Sequence, residues 1–506
     1  MARRGHRKKR TANAIRQLPW HDVANPYAPI EILSADQVET IINTALEVLA
    51  TQGMRFLEPV SRKMMQEAGA TVDEASQMVR FDPDLVREKL ASAPAQFELR
   101  ARNPAHDLKV GGNNIIFGSV GGPAFCSDFD KGRRPGNYAE MCDYLRIVQS
   151  LNIIQQEGGG PFEAMDLPGE TRHLDLYLAQ IRLLDKNCQA YALGRERTID
   201  AIEMTCIALD IDREELAERP AVLAIINTNS PMQLDIPMTE AVIELASTNQ
   251  VCCITPFTLA GSMSPATLAG TLMQQTAEVL AVATLTQVVQ PGAPVIYGSF
   301  ASNVDMQSGA PALGTPEYTK AAQASGQIAR RLGLPCRSSN TTVSNCVDAQ
   351  AAFESQMSLW GSVMGHANLI NHAAGWLEGG LTASFEKLII DAEMLQMMAE
   401  YLRPIEVNDD ELAVDAIAEV GPGGHHFGTS HTMERYESAF YMPILSNRQN
   451  FEAWKEAGSI DIAARANTVW KQILAEYEQP PLDPAIDEAL VEYVDRRKQT
   501  LGAQGA

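Results

Sequence analysis

Ala367-Asn-Leu-Ile-Asn-His-Ala-Ala-Gly-Trp-Leu-Glu-Gly-Gly380 begins as a short apolar strand and ends in a glycine-rich turn. The stretch delivers His372, Trp376 and Glu378 to one strand end. Apolar runs at 114–118, 152–157, 188–193, 221–227, 251–257, 294–300 and 335–339 repeat the format, and 367–373 makes the eighth. Most are followed by small Gly, Ser, Asn or Pro residues and then by helical patterns such as 264–289, 315–332 and 348–365, each with its apolar residues on one side. Strand and helix in alternation, with right-handed crossovers, predict an α/β fold in which eight parallel strands close into a TIM (β/α)8 barrel over residues 105–402. The closing helix is expected at 385–402. The run 114–118 departs from the pattern, because a hairpin-like stretch at 122–132 follows it instead of a helix.

Outside the barrel, Ser34 precedes a periodic run to Thr51 with Val38, Ile41, Ile42, Ala45, Leu46 and Val48 on one face, which predicts a capped amphipathic helix. Shorter helical patterns follow near 58–68 and 84–93, so residues 31–104 read as an N-terminal helical annex. Residues 97–128, rich in glycine pairs, read as hairpins. Residues 1–30 read as a disordered basic tail carrying Arg3, Arg4, Arg7, Lys8, Lys9 and Arg10. The pattern breaks at Arg403-Pro404, and 403–506 is expected to be a C-terminal helical extension packed back on the barrel.

Composition narrows the partners. A formal charge of −22 over 506 residues repels phosphate backbones and anionic lipid, which excludes nucleic acid and membrane surfaces. The chain has no apolar run of about 18 residues and reads as soluble. Its eight cysteines show no CxxC spacing, as expected of a reduced, cytoplasmic protein without disulfides.

In a parallel barrel the reactive groups occupy the loops after the strands. Those loops, at 157–161, 256–261, 298–303, 338–342 and 372–380, are short of charge, and Arg337 is the only cation close to a strand end. They carry instead Phe257, Tyr297, Phe300, Trp376 and Asn340. Aromatic faces with little competing positive charge suit an organic cation, worth on the order of 2 kcal/mol once desolvated. The alternative is that these rings only plug the barrel. Trp360 recurs with Phe353, Met357 and Met364 at helical spacing and reads as core. His425, His426 and His431 lie in a glycine-rich loop that can bring imidazoles to zinc, but their spacing matches no HExxH or CxxC pattern, so no metal site is predicted. The other reading has them cap the barrel mouth or touch substrate.

Gly421-Pro-Gly-Gly-His-His-Phe-Gly-Thr-Ser-His-Thr432, then Phe440-Tyr-Met-Pro-Ile-Leu-Ser-Asn-Arg448 and Phe451-Glu-Ala-Trp454, resemble the C-terminal signature of the trimethylamine methyltransferase family. Asp348-Ala-Gln350 and Ala374-Gly-Trp-Leu-Glu378 resemble its barrel segments, and the likeness covers most of 30–498. The resemblance implies a TIM barrel that moves a methyl group from an amine to the Co(I) of a corrinoid (cobalamin) on a partner protein, with no tightly bound cofactor in this chain. Archaeal members carry pyrrolysine in the barrel and none is written here, which points to the branch similar to glycine betaine methyltransferases. The expected substrate is then a small quaternary amine. His372 and Glu378 are the catalytic candidates, and Trp376, Phe257, Tyr297, Phe300, Asn340, Arg337, His425, Phe427 and His431 the binding candidates. A carboxylated substrate would place its anion on His372, His425 or Arg337. Three alternatives stay open: a methyltransferase for trimethylamine or another methylated amine, a metal-dependent barrel enzyme using His425, His431 and Glu378, and a betaine-binding protein without activity. A homo-oligomer is expected.

Overall fold

Strand and helix alternate until the sheet closes on itself. The computed structural model describes residues 15–504, so the basic residues 3–10 lie outside it. Eight strands, β1 (Asn114–Ser119), β2 (Gln156–Glu157), β3 (Asn187–Ala190), β4 (Leu223–Ile226), β5 (Val251–Ile254), β6 (Val295–Gly298), β7 (Cys336–Ser339) and β8 (Leu369–Ala374), pair in parallel and in sequence order, and β8 returns to β1. The expected barrel is the observed one, with β2 cut to two residues.

Eight helices return the chain: α1 (Tyr138–Ser150), α2 (Arg172–Leu183), α3 (Arg195–Leu209), α4 (Ile236–Ser247), α5 (Leu268–Val289), α6 (Pro316–Leu332), α7 (Ala349–Met364) and α8 (Phe385–Tyr401). Six of them start on a capping side chain, Asn137, Asp235, Thr267, Thr315, Asp348 or Ser384, each accepting a first-turn amide. Caps define where helices begin, and all these starts surround the C-terminal ends of the strands. The hairpin foreseen after β1 is present, Phe125–Asp128 pairing with Gly132–Pro135 before α1 begins.

The opposite end of the barrel is sealed. A second hairpin, Gln96–Leu99 with Leu108–Gly111, sends Leu99, Leu108 and Val110 against Ile116, Leu223, Val251, Cys253, Ile296 and Leu369 from the strands. Beside it Lys186 is buried with its Nζ donating to the carbonyls of Val148, Leu151 and Ile154 at 2.7–2.8 Å. With one end filled by hydrocarbon, the open end is the one where the helices start.

The annex contains the three expected helices, Ala35–Thr51, Pro59–Glu67 and Pro83–Leu90, and Ser34 forms a full capping box with Gln37. It also holds a small sheet, Met54–Phe56, Met78–Arg80 and Thr71–Asp73 joined by Gln233–Leu234 from the loop after β4. Strands of two or three residues leave too little alternation to be seen in sequence. The annex covers α5, which is therefore buried on every side instead of showing the expected single apolar face. All eight cysteines are free, and no helix among the described residues is long and apolar enough to cross a membrane.

The extension is anchored by Ile462–Ala475, which packs on α8, and by Pro484–Gln504, which packs on α2 and α3. Asp200 on α3 is fully buried and accepts from His173 Nε2 at 2.9 Å, Tyr493 Oη at 2.7 Å and Arg497 Nε at 2.6 Å. Burial alone would raise its pKa, but these three donors outweigh it and hold the carboxyl below 3.8. A lowered carboxylate pKa contributes stability that is present above the unfolded value and lost as pH falls through the folded one. Asp200→Asn should therefore cost about 3 kcal/mol in urea unfolding at pH 7, with the difference from the parent shrinking below about pH 4.

A candidate active site at the open end of the barrel

The chain after β8 does not run straight into α8. Pairing of β8 with β1 shifts register between Ile370 and Ala374, and His372, inside that break, has φ +52. A left-handed imidazole-bearing residue at a strand end is strained, and such strain persists only where the surroundings fix it. Here the Gly121 amide donates to His372 Nδ1 at 3.4 Å and the Trp376 indole lies against the imidazole, centroids 4.4 Å apart. Gly375 turns the chain at φ +102, where a Cβ would stand 2.0 Å from Tyr144 Oη. Its amide donates to Asp391, which is itself ion-paired with Lys387 in full burial. Beyond it, Trp376 pairs with Ala383 and donates its Nε1 to the Thr342 carbonyl at 3.1 Å.

A cavity of about 440 Å3 opens in front of His372. Its floor is an amide pair inside the barrel, Gln189 Nε2 donating to Asn371 Oδ1 at 2.6 Å. One wall is backbone from Gly121, Gly122, Gly158 and Gly159, and the facing wall is Phe257 with Phe300, rings 5.0 Å apart. Arg337 enters from β7, 2% exposed, its guanidinium 5.0 Å from the Phe300 ring. Its hydrogen bonding is poor: Nη1 reaches the Ser299 carbonyl at 3.3 Å and Nε has no partner. Among the described residues no carboxylate pairs with it, and none lines the cavity. Burial lowers the Arg337 pKa from its ordinary value. Burial first, and Arg337 second, hold the His372 pKa well below 6.5, so the imidazole is neutral at pH 7. With Nδ1 accepting from Gly121, the proton sits on Nε2 and makes it a donor. The site thus offers an unpaired buried cation, a neutral donor and three aromatic side chains, Tyr191, Phe257 and Phe300.

Comparison with known proteins gives the family of the chain. The model for the family described as trimethylamine methyltransferase matches residues 1–502. The chain belongs to that family. A glycine betaine methyltransferase of Desulfitobacterium hafniense is 35% identical over 474 residues, covering 94% of this chain and 98% of that protein. A trimethylamine methyltransferase of Methanosarcina mazei is 27% identical over 484 residues, covering 92% and 96%. In fold, the chain is similar to the crystal structure of the Methanosarcina barkeri monomethylamine methyltransferase, with TM-score 0.53, 9% identity and 90% of each chain covered.

The cavity holds only part of the set expected from sequence. His372, Arg337, Phe257 and Phe300 line the cavity together. Trp376 is not among the lining residues: 7% exposed, its ring packs against two residues that are, 4.4 Å from His372 and 6.3 Å from Phe300 between centroids. Tyr297 points away from the mouth, its hydroxyl meeting Gln275 and Thr276 of α5. Asn340 is buried behind the strands and donates to the Ala373 carbonyl at 2.9 Å. Glu378, at φ +53, is held at the rim by Arg133 at 2.8 Å and does not line the cavity. His425, Phe427 and His431 also lie outside it. His425 and Phe427 are exposed on the extension, and His431 faces Asp409–Glu434 residues of that same segment. This separates the histidines from Glu378, and among the described residues no three His, Cys, Asp or Glu side chains are grouped to hold a metal. Gln189 and Asn371 were not foreseen, although each is a polar residue within a barrel strand.

Two outcomes follow from the packing around His372. Trp376→Ala should lower stability by about 3–5 kcal/mol, and Trp376→Phe by about 1–3 kcal/mol because the Thr342 carbonyl loses its donor. Urea unfolding distinguishes them. A histidine whose folded pKa is depressed stabilises the fold above its unfolded value and loses that contribution as pH drops, so stability should fall below pH 6.5. In His372→Gln that part of the pH dependence should flatten.

Proposed function

We propose that the chain transfers a methyl group from a carboxylated quaternary amine, a betaine, to the Co(I) of a corrinoid carried by a separate protein. One observation carries the reading: the cavity's single formal charge is the buried Arg337, with no acid to neutralise it. A buried charge left unpaired is costly, and a ligand carboxylate is the natural counter-ion. The Phe257 and Phe300 faces beside it suit an ammonium bearing methyl groups. A betaine satisfies both at once, while a bare methylammonium cation would face Arg337 with like charge. The 35% identity to a glycine betaine methyltransferase points the same way.

In this reading Arg337 and the Nε2–H of His372 hold the carboxylate, and the aromatic pair orients one methyl toward the opening. The nitrogen already carries the positive charge that makes its neutral tertiary amine a good leaving group, so no general acid is used. The N–C bond breaks with its electron pair remaining on nitrogen, and Co(I) supplies the pair for the new bond. The protein's contribution is desolvation and alignment. The rim is suited to an incoming acceptor, with Phe129, Met165, Met306 and Leu381 exposed on four different loops. The reaction belongs in the cytoplasm, where the cysteines stay reduced.

The purified protein mixed with cob(I)alamin should give methylcobalamin from one of glycine betaine, proline betaine or carnitine, and none from choline or trimethylamine. Arg337→Gln should weaken binding of that betaine about a hundredfold, the scale of truncating one side of a buried charge pair. The same change removes an uncompensated buried charge, so the free protein should melt no earlier than the parent. Turnover of trimethylamine alone, or unchanged betaine affinity in Arg337→Gln, defeats the proposal.

A further inference from the structure

Four buried carboxamides run through the barrel from its sealed end to the cavity floor: Asn187, Gln156, Gln189 and Asn371. At the sealed end Asn187 gives both N–H groups to backbone carbonyls, Arg100 at 2.6 Å and Ala221 at 2.8 Å. Its Oδ1 is left to accept, and takes Gln156 Nε2 at 2.7 Å. Gln156 therefore turns its Oε1 to Gln189, whose Nε2 donates there at 2.8 Å and to Asn371 Oδ1 at 2.6 Å. A carboxamide by itself can present either end. Here two backbone carbonyls decide the direction of all four, because turning Asn371 over would set its NH2 group against that of Gln189 with no acceptor between them. Asn371 Oδ1 is also closed in by Gly118, where a Cβ would stand 3.2 Å from it. The Nδ2 end is the free one. It makes a single long bond, to Gln189 Oε1 at 3.3 Å, and its second N–H has no partner among the described residues.

We infer that Asn371 gives this N–H to the anionic end of the substrate, as a third donor beside Arg337 and His372, and that Gln189 and Gln156 are positioning residues that hold its Oδ1 away from the ligand. Consecutive residues of a regular strand face opposite ways. Asn371 and His372 nevertheless both line the cavity, the left-handed backbone of His372 bringing its ring to the same side. The direction of the chain of amides then sets selectivity. A carboxamide oxygen on the floor would attract a cation, whereas an N–H attracts an anion and adds no charge to a site that already holds Arg337. This role for Asn371 rests on the betaine reading above, and it gives the sealed end of the barrel a part in substrate choice.

Calorimetry on the full-length protein with glycine betaine, proline betaine and carnitine first finds which of them binds. Asn371→Ala should weaken that betaine about tenfold, the scale of a hydrogen bond to a charged group, and Asn371→Asp, which puts an oxygen where the N–H was, about a hundredfold. Gln156→Leu alters a residue outside the cavity lining. It should weaken the betaine about fivefold in the parent and less than about twofold in the Asn371→Ala background, because its effect passes through Asn371, whereas a merely structural loss adds equally to both. Crystals of the parent soaked in the same betaine need no variant, and should show Asn371 Nδ2 within about 3.2 Å of a carboxylate oxygen. Unchanged affinity in Asn371→Ala, a Gln156→Leu effect of equal size in both backgrounds, or a carboxylate more than about 4 Å from Nδ2 each overturn this role and leave the betaine reading standing. A parent that binds none of the three betaines defeats that reading, and the role of Asn371 with it.

Discussion

The carboxylates buried around the open end of the barrel turn away from the cavity, and this segregation leaves Arg337 without a counter-charge. Glu157 curls back to accept from the amides of Gly159 and Gly160 at 2.8–2.9 Å and from Gln180. Glu278 on α5 accepts from Ser230 and the Met232 amide after β4, and Glu354 on α7 from Thr342 and the Val343 amide after β7. Asp391 on α8 takes the Gly375 amide. Loops after strands have no ladder to satisfy their backbone, so a carboxylate accepting two or three donors is an effective way to fix them. Each acid is thereby committed to shaping the mouth. Glu157 shows the cost, its burial raising the pKa to about 7 despite those amide bonds.

His372 depends on the same framework. Its left-handed backbone puts the imidazole over the cavity, and the Asp391–Gly375 bond and the indole of Trp376 keep it there. Neutrality is enforced by burial and by the neighbouring guanidinium, so it supplies a hydrogen bond without adding a second positive charge to a site that already holds one. A carboxylic acid in this place would neutralise Arg337 internally and forfeit the anion binding proposed above.

Much of the fold was legible because period two and period 3.6 alternate cleanly: all eight strands and the long helices follow from where apolar runs meet capping residues. Arg337 was legible for a related reason, as the lone cation at a strand end. The alternation also contains the direction of Tyr297, since Ile296 fills the barrel and its neighbour must then face the helices. The ion pair of Glu378 is something sequence does not carry. Its partner Arg133 stands 245 positions earlier, and only the closure of β8 on β1 brings them together. The histidine segment at 425–431 resembles a family motif strongly enough to be recognised, but a motif carries no position, and the fold leaves it outside the cavity.

The location of charge also decides between amines of one size. Two like charges about 5 Å apart repel by roughly 3 kcal/mol at an effective dielectric of 20, a factor above one hundred in affinity. Methylammonium ions lacking a carboxylate meet that repulsion in full, because the cavity lining has no acid to offset Arg337. A zwitterion brings its own acid. In the binding mode proposed above its carboxylate pairs with the guanidinium, and the ammonium then meets a neutralised neighbour and an aromatic face, the Phe300 ring lying 5.0 Å from the guanidinium carbon and 5.0 Å from Phe257. On the proposed function, discrimination between betaines and simple methylamines rests on which charge the barrel leaves unpaired, and the aromatic residues, available to any methylated cation, contribute affinity without choosing between them.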